Sequence, residues 1–146
     1  HLASIDYDGK KIKIWNLSAH TLMKTLDTNI RFIISLAVTN QNNKIIIACG
    51  CRNGSVKIYD LENNTFTLLS SNGGKIRGLE FICQSNQLCL LGMQYDGSLE
   101  CWNMADRSIL SKFDFERGRF LLTCEIGGKS CICFAKGGEY GKVLMI

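Results

Sequence analysis

One short phrase occurs three times in this chain, and its spacing limits what the chain can fold into. In each copy a glycine turn leads into alternating apolar and polar residues, followed by an aromatic residue, an acid or amide, and an aliphatic residue. The copies are 8–17, 53–61 and 96–104, and the first has one extra residue after its glycine. From Trp15 to Tyr59 is 44 residues and from Tyr59 to Trp102 is 43. A constant spacing of this length indicates a repeat protein.

The segments between the copies have the patterns of short β-strands. Residues 12–15 alternate apolar and polar side chains, which is typical of a half-buried strand. Residues 44–51 contain a continuous run of isoleucines, which predicts a strand covered on both faces. Turn signals rich in Asn, Asp and Gly separate the strands, and no segment has a convincing helical period. Four short strands in each repeat of ~40–45 residues are typical of WD40 propeller blades, whereas kelch repeats are nearer ~50 residues.

The chain therefore resembles the WD40-repeat family over essentially its whole length. Residues 2–9 and 12–16 are similar to the family's second strand, turn and third strand. The resemblance implies an all-β fold, a β-propeller of four-stranded antiparallel blades. Assigning strands by role divides the chain into a partial blade 1–29, the blades 30–70 and 71–114, and a partial blade 115–146. Because propellers have ~4–8 blades, we expect a fragment of a longer propeller, whose remainder is needed for closure.

The family holds a well-preserved blade together with a hydrogen-bonded tetrad of His, Ser or Thr, Asp and Trp. The resemblance places the Asp and Trp of this tetrad at Asp8 and Trp15 in the first copy and at Asp96 and Trp102 in the third. In the middle copy, Asn53 and Tyr59 replace them. The family's usual Gly-His pair is missing, so no blade holds all four residues. We therefore expect packing to supply most of the stability of each blade.

Charge and cysteine spacing exclude several classes of protein. The net charge is +4, without a block of basic residues, so nucleic acid is not an expected partner. No apolar run approaches the ~18 residues of a membrane helix, so we expect no membrane insertion. The 8 cysteines include no Cys-x-x-Cys pair, which argues against a metal site. Reduced, buried thiols and no visible signal peptide predict a cytoplasmic or nuclear protein.

The sequence also lacks a constellation typical of catalysis. A Ser-His-Asp or Cys-His mechanism needs a histidine in a concave site, and His20 lies in a polar connection. The glycine pairs 73–74 and 127–128 are not followed by the Lys-Ser/Thr of a phosphate loop. We therefore expect a protein that is not an enzyme and needs no cofactor.

An arginine occurs at the start of each innermost strand, and this pattern predicts a binding face. In the propeller geometry that the resemblance implies, those starts and the turns between second and third strands lie on one face, around the central channel. The residues concerned are Arg31, Arg77 and Arg119 at the strand starts, and Arg52, Tyr7, Tyr95 and Tyr140 in the turns. Arg and Tyr are enriched at interface hot spots. This face is predicted to bind other proteins through an acidic or phosphorylated peptide; solvated surface charge, or arginines paired within their own blades, is the alternative.

Three functional classes follow from the sequence. The first is a non-catalytic protein–protein interaction scaffold that presents a rigid face to partner proteins in a complex. The second is the targeting or regulatory propeller of a larger enzyme, whose catalytic domain lies outside these residues. The third is a nucleic-acid binder, against which the mild charge and the lack of an aromatic-basic stripe both argue.

Overall fold

The computed structural model describes residues 2–6, 8–28, 30, 32–69, 74–84, 86–114, 118–126, 129–136 and 142–145, and from 118 onward it describes the backbone. The described residues form strands joined by turns. The strands are β1 (Leu2–Ile5), β2 (Lys11–Asn16), β3 (Thr21–Asp27), β4 (Ile33–Gln41), β5 (Lys44–Cys51), β6 (Val56–Asp60), β7 (Thr65–Leu69), β8 (Ile76–Gln84), β9 (Gln87–Gln94), β10 (Ser98–Asn103), β11 (Ile109–Asp114), β12 (Gly118–Ile126), β13 (Lys129–Lys136) and β14 (Lys142–Met145). Among these described residues, no helix is long and apolar enough to cross a membrane.

The strands form four antiparallel sheets, and within each sheet they pair in chain order. The first sheet is β1-β2-β3, the second β4-β5-β6-β7, the third β8-β9-β10-β11 and the fourth β12-β13-β14. β4 contacts both β1 and β8, and β8 contacts β12, so successive sheets lie side by side with their inner strands adjacent. This is the arrangement of blades in a propeller. The predicted all-β fold, an incomplete propeller of four-stranded antiparallel blades, is confirmed.

Apolar side chains fill the spaces between neighbouring sheets. Because side chains alternate along a strand, β5 contributes to two such spaces. Ile47 and Cys49 pack with Ile12 and Ile14 of the first sheet. Ala48 faces the other way and packs with residues of the third sheet, including Trp102. The prediction that this strand is covered on both faces is therefore confirmed.

The aromatic repeat positions make a different contact in each sheet. The indole N–H of Trp15 donates a hydrogen bond to Ser4 Oγ, at 3.1 Å. The Tyr59 hydroxyl donates to Asn64 in the following turn. Trp102 is buried by packing in the third sheet. The same repeat position is therefore held by hydrogen bonds in two sheets and by close packing in the third.

In the first three sheets, a carboxylate or amide oxygen closes the glycine turn at the start of each repeat phrase. Asn53 Oδ1 accepts the N–H and the hydroxyl of Ser55, and Asp96 Oδ1 accepts the same two groups of Ser98. In the first turn, which has one more residue, Asp6 accepts two backbone N–H groups instead, while Asp8 is exposed. In this turn Asp6 therefore takes the part that Asn53 and Asp96 take in theirs, and the assignment of Asp8 to the Asp position of the tetrad stays a prediction.

Candidate partner-binding site

A β-bulge lies at the start of each innermost strand. The pairing of β4 with β5 shifts by one residue between Ile33 and Ser35, which leaves Ile34 as the extra residue. The same shift leaves Arg77 as the extra residue in β8 and Arg119 in β12. A bulge re-aims the side chain of its extra residue. Ile34, Arg77 and Arg119 therefore hold one structural position in three successive sheets.

The turn between the second and third strands is tied to the residue just before this bulged strand. In the second sheet the Arg52 N–H donates to the Phe32 carbonyl, at 3.0 Å. In the third sheet the Tyr95 N–H donates to the Lys75 carbonyl, at 2.8 Å. Arg52 and Tyr95 are thus equivalent in position. Each turn holds its first side chain beside the strand start, at the same end of the sheets.

These elements bring side chains from two sheets together around a pocket of about 290 Å³. We call it the basic pocket, and it is lined by Ile34, Arg52, Lys75, Arg77 and Tyr95. The guanidinium carbon of Arg77 lies 4.1 Å from the centre of the Tyr95 ring, and the Lys75 ammonium lies 5.6 Å from it. Both distances fall within the ~6 Å range of cation–π contacts. Tyr95 is 60% exposed, so its outer ring surface remains open to a ligand.

The basic pocket carries positive charge that the described residues do not neutralise. Among them, no ion pair joins Arg52, Lys75 or Arg77 to an acidic side chain; Lys44 pairs with Glu62, and Lys112 with Glu100, elsewhere. A guanidinium remains protonated and offers five N–H donors in a planar fork. Converging cations beside low-dielectric walls attract an anion. The arrangement is therefore suited to binding an anionic group.

Of the seven residues predicted for the binding face, the structure brings three together in the basic pocket. They are Arg52, Arg77 and Tyr95. Arg119 shares the bulge position of Arg77 in the next sheet, and its side chain is not described. Three others lie outside the described residues: Arg31, Tyr7 and Tyr140. Their proposed role in binding remains a prediction.

Sequence reasoning missed Lys75 and the apolar wall formed by Ile34. Neither gives a local signal, because Lys75 lies just before β8 and Ile34 is placed by the bulge in β4. The neighbouring Phe32 was also missed; its ring centre lies 6.0 Å from the Arg52 guanidinium carbon. Its φ of 65° is rare for a bulky residue, and nothing in the sequence indicates it.

Other candidate chemistry lies outside this pocket. The described residues include no group of three or more His, Cys, Asp or Glu side chains that could hold a metal ion. His20 is exposed in the turn after β2, at the end of the sheet opposite the basic pocket. Cys49 and Cys101 are free thiols in the core. Burial raises the pKa of Cys49 to about 12 and that of Cys101 to about 11, so both thiols are protonated at neutral pH.

Comparison with known proteins agrees with this architecture. No known protein-family model matches the chain. It is 26% identical over 118 residues, 80% of its length, to transcription factor unc-37 of Caenorhabditis elegans. It is 28% identical over 105 residues, 70% of its length, to mRNA export factor rae-1 of the same organism. The matched segments make up 19% and 27% of those proteins. Both relatives are WD-repeat proteins, and the chain is part of a propeller of the WD40 type.

Proposed function

We propose that this chain is part of a non-catalytic scaffold, a propeller that presents a rigid face to partner proteins in a complex. We propose further that the basic pocket captures an acidic or phosphorylated segment of a partner. One observation carries this proposal: Arg77 is stacked on Tyr95 beside two further cations, and no described carboxylate pairs with any of the three.

The dimensions and chemistry of the basic pocket support a single anionic side chain as its ligand. Its volume of about 290 Å³ is at the lower limit of the ~300–1,000 Å³ typical of small-molecule sites. Arginine binds carboxylate and phosphate oxygens through two parallel N–H bonds. The contact with Tyr95 already restricts the Arg77 side chain. Binding would then cost less side-chain entropy than it would for a free arginine.

The wider setting of the protein is also a proposal. The relatives are named for transcription and for mRNA export, and neither name describes an enzyme. We propose a nuclear or cytoplasmic role in a protein complex, where buried thiols remain reduced. Nothing in these comparisons favours the alternative, in which the propeller targets or regulates an attached catalytic domain.

The test is the binding of sequence-matched fluorescent peptides to the full-length protein, measured by anisotropy. One peptide carries phosphoserine, a second aspartate and a third serine at the central position. The test variant replaces all three cations of the basic pocket with serine. Hydrogen bonds to charged groups contribute about 1.5–3 kcal/mol each, so we expect at least a tenfold weaker complex with the phosphoserine or aspartate peptide and an unchanged melting temperature.

A matched control separates the pocket from general electrostatic attraction. It replaces three exposed cations away from the end of the sheets that holds the pocket, giving the same change in net charge: Lys13→Ser, Lys44→Ser and Arg107→Ser. At about 0.15 M salt, distant exposed charges are largely screened, so this variant should bind within about twofold of the natural chain. If both triple variants lost affinity for the phosphoserine or aspartate peptide equally, the role of the basic pocket would be refuted.

A further inference from the structure

A second concave surface lies between the second and third sheets, at the end opposite the basic pocket. It is a groove of about 640 Å³ that runs beside β7, and we call it the outer groove. Apolar side chains from both sheets contribute to its lining: Ile46, Ile58, Leu88 and Met104. Thr65 and Thr67 of β7 form part of its wall. The outer groove therefore combines apolar side chains with the edge of a sheet.

β7 forms the outer edge of the second sheet, because among the described strands it pairs with β6 alone. An edge strand presents unpaired N–H and C=O groups that another extended chain can bind, and natural proteins usually block such edges with lysine or a bulge. The outermost strands of the first and third sheets, β3 and β11, have both devices: Lys24 and Lys112 lie within them, and each has a register shift against its neighbour. β7 has the sequence Thr-Phe-Thr-Leu-Leu and pairs with β6 without a shift.

The side chains of β7 offer a contact surface on each face of the strand. Phe66 and Leu68 lie opposite Tyr59 and Lys57 in the pairing with β6, and both are exposed. Threonines alternate with them and face the outer groove. A strand added along β7 would therefore place alternate side chains beside Phe66 and Leu68, and the others in the outer groove.

The charges that line the outer groove indicate the polarity of its ligand. Asp60 is occupied within its own turn, where Oδ1 accepts the N–H groups of Glu62 and Asn63. Arg107, from the turn before β11, also lines the groove and forms no ion pair with a described residue. Asp60 keeps its negative charge, but both of its oxygens accept hydrogen bonds within the turn. The guanidinium of Arg107 is therefore the charged group with which an acidic residue at that end of the ligand would pair.

We propose that β7 binds an extended segment of a partner protein as a fifth strand of the second sheet. The segment is apolar at alternate positions, and it carries an acidic residue that meets Arg107. Main-chain hydrogen bonds to the strand edge provide affinity, and the side chains in the outer groove provide specificity. This surface is at the opposite end of the blade from the basic pocket, so the two proposals can fail independently.

The test uses an array of heptapeptides with Val, Ile, Leu or Phe at alternate positions, Thr between them and Glu at either end. Binding to the full-length protein is measured by anisotropy, and the tightest peptide is then resynthesised with one backbone nitrogen methylated at a time. We expect methylation at every second residue to reduce affinity at least tenfold, because only alternate N–H groups face the strand edge. Tolerance at all positions, or an array without a binder, would refute the proposal.

Variants of the protein locate the contact. Leu68→Lys places a charge on β7, much as Lys112 does in β11, at an exposed position that should not affect folding. Its matched control is Leu110→Lys, on the outer strand that already has a lysine. We expect Leu68→Lys to lower the affinity for the peptide at least tenfold and Leu110→Lys to leave it unchanged. Arg107→Gln should weaken binding of the Glu-containing peptide but not of the same peptide with Gln in place of Glu, and Arg77→Gln, in the basic pocket, should have no effect on either.

Two further results would overturn this assignment. Equal weakening by Leu68→Lys and Leu110→Lys would show that the peptide does not bind at β7. A concentration-dependent dimer of the natural chain that Leu68→Lys dissociates would show that a second copy, rather than a partner segment, occupies the edge.

Discussion

The indole ring of Trp102 lies directly against the α-carbon of Gly92 on the neighbouring strand. A Cβ atom at position 92 would be 2.5 Å from Cζ3 and 2.7 Å from Cη2 of the indole. Trp102 is 1% exposed and belongs to the apolar cluster between the second and third sheets. The third sheet therefore accommodates its repeat tryptophan because residue 92 has no side chain.

Gly92→Ala should destabilise the protein by about 1–3 kcal/mol, the usual cost of forcing an extra methyl group into a packed core. The measurement is the free energy of unfolding by urea, on the full-length chain. Gly74→Ala is the matched control, because a Cβ there would have no atom within 4 Å. Equal stability of the two alanine variants would show that the contact with Trp102 relaxes without cost.

Lys112→Met should also destabilise the protein, because it leaves a carboxylate buried without its partner. Lys112 Nζ lies 2.7 Å from Glu100 Oε1, and the Glu100 side chain is 3% exposed, whereas Lys112 is half exposed. Glu100 Oε2 is also buried and has no described hydrogen-bond partner. Losing one partner of a fully buried pair costs 3–5 kcal/mol; since water reaches Lys112, we expect about 1–3 kcal/mol in urea denaturation.

The exposed pair of Lys44 and Glu62 provides the control for that experiment. Its atoms are 3.1 Å apart, and both side chains are more than half exposed. Exposed pairs of this kind contribute at most about 1 kcal/mol, so Lys44→Met should have little effect. If Lys112→Met lowered the free energy of unfolding no more than Lys44→Met does, the protein would tolerate the buried Glu100 carboxylate without its partner.

The repeat spacing was enough to predict the strand order and the buried faces, because alternation and turn residues act locally. Residues 44–51 are an example, since Ile47 and Ala48 pack against different sheets. The basic pocket was only partly predictable. Arg77 is positioned by a bulge that depends on how β8 pairs with β9, and Arg52 reaches the same pocket from another sheet. Neither relationship follows from local sequence, so Lys75 and Ile34 were missed.

Thiol-modifying reagents should distinguish the cysteines by burial. Cys49 and Cys101 are buried, and their pKa values of about 12 and about 11 keep the reactive thiolate scarce. Cys83 is exposed. At about pH 8, N-ethylmaleimide should modify Cys83 in the native protein and reach the other two only after unfolding, as measured by peptide mass spectrometry. Native-state labelling of Cys49 as fast as that of Cys83 would contradict the packing of the second sheet.

Asp96 should make stability depend on pH in the acid range. The N–H and then the hydroxyl of Ser98 donate to its carboxylate and lower the pKa of Asp96 below its usual value. Because the folded state then binds fewer protons than the unfolded state, this stabilisation is present above the ordinary aspartate pKa of about 3.9 and is lost as pH falls through the lowered value.

Asp96→Asn should flatten this dependence without opening the turn, because Asn53 accepts the same two bonds in the equivalent turn of the second sheet. The measurement is the free energy of unfolding from neutral pH to about 3. Asp8→Asn removes a charge from the corresponding turn of the first sheet, where Asp6 makes the turn-closing bonds, and it serves as the control for net charge. Parallel pH profiles for the natural chain and Asp96→Asn would show that this carboxylate does not contribute to acid unfolding.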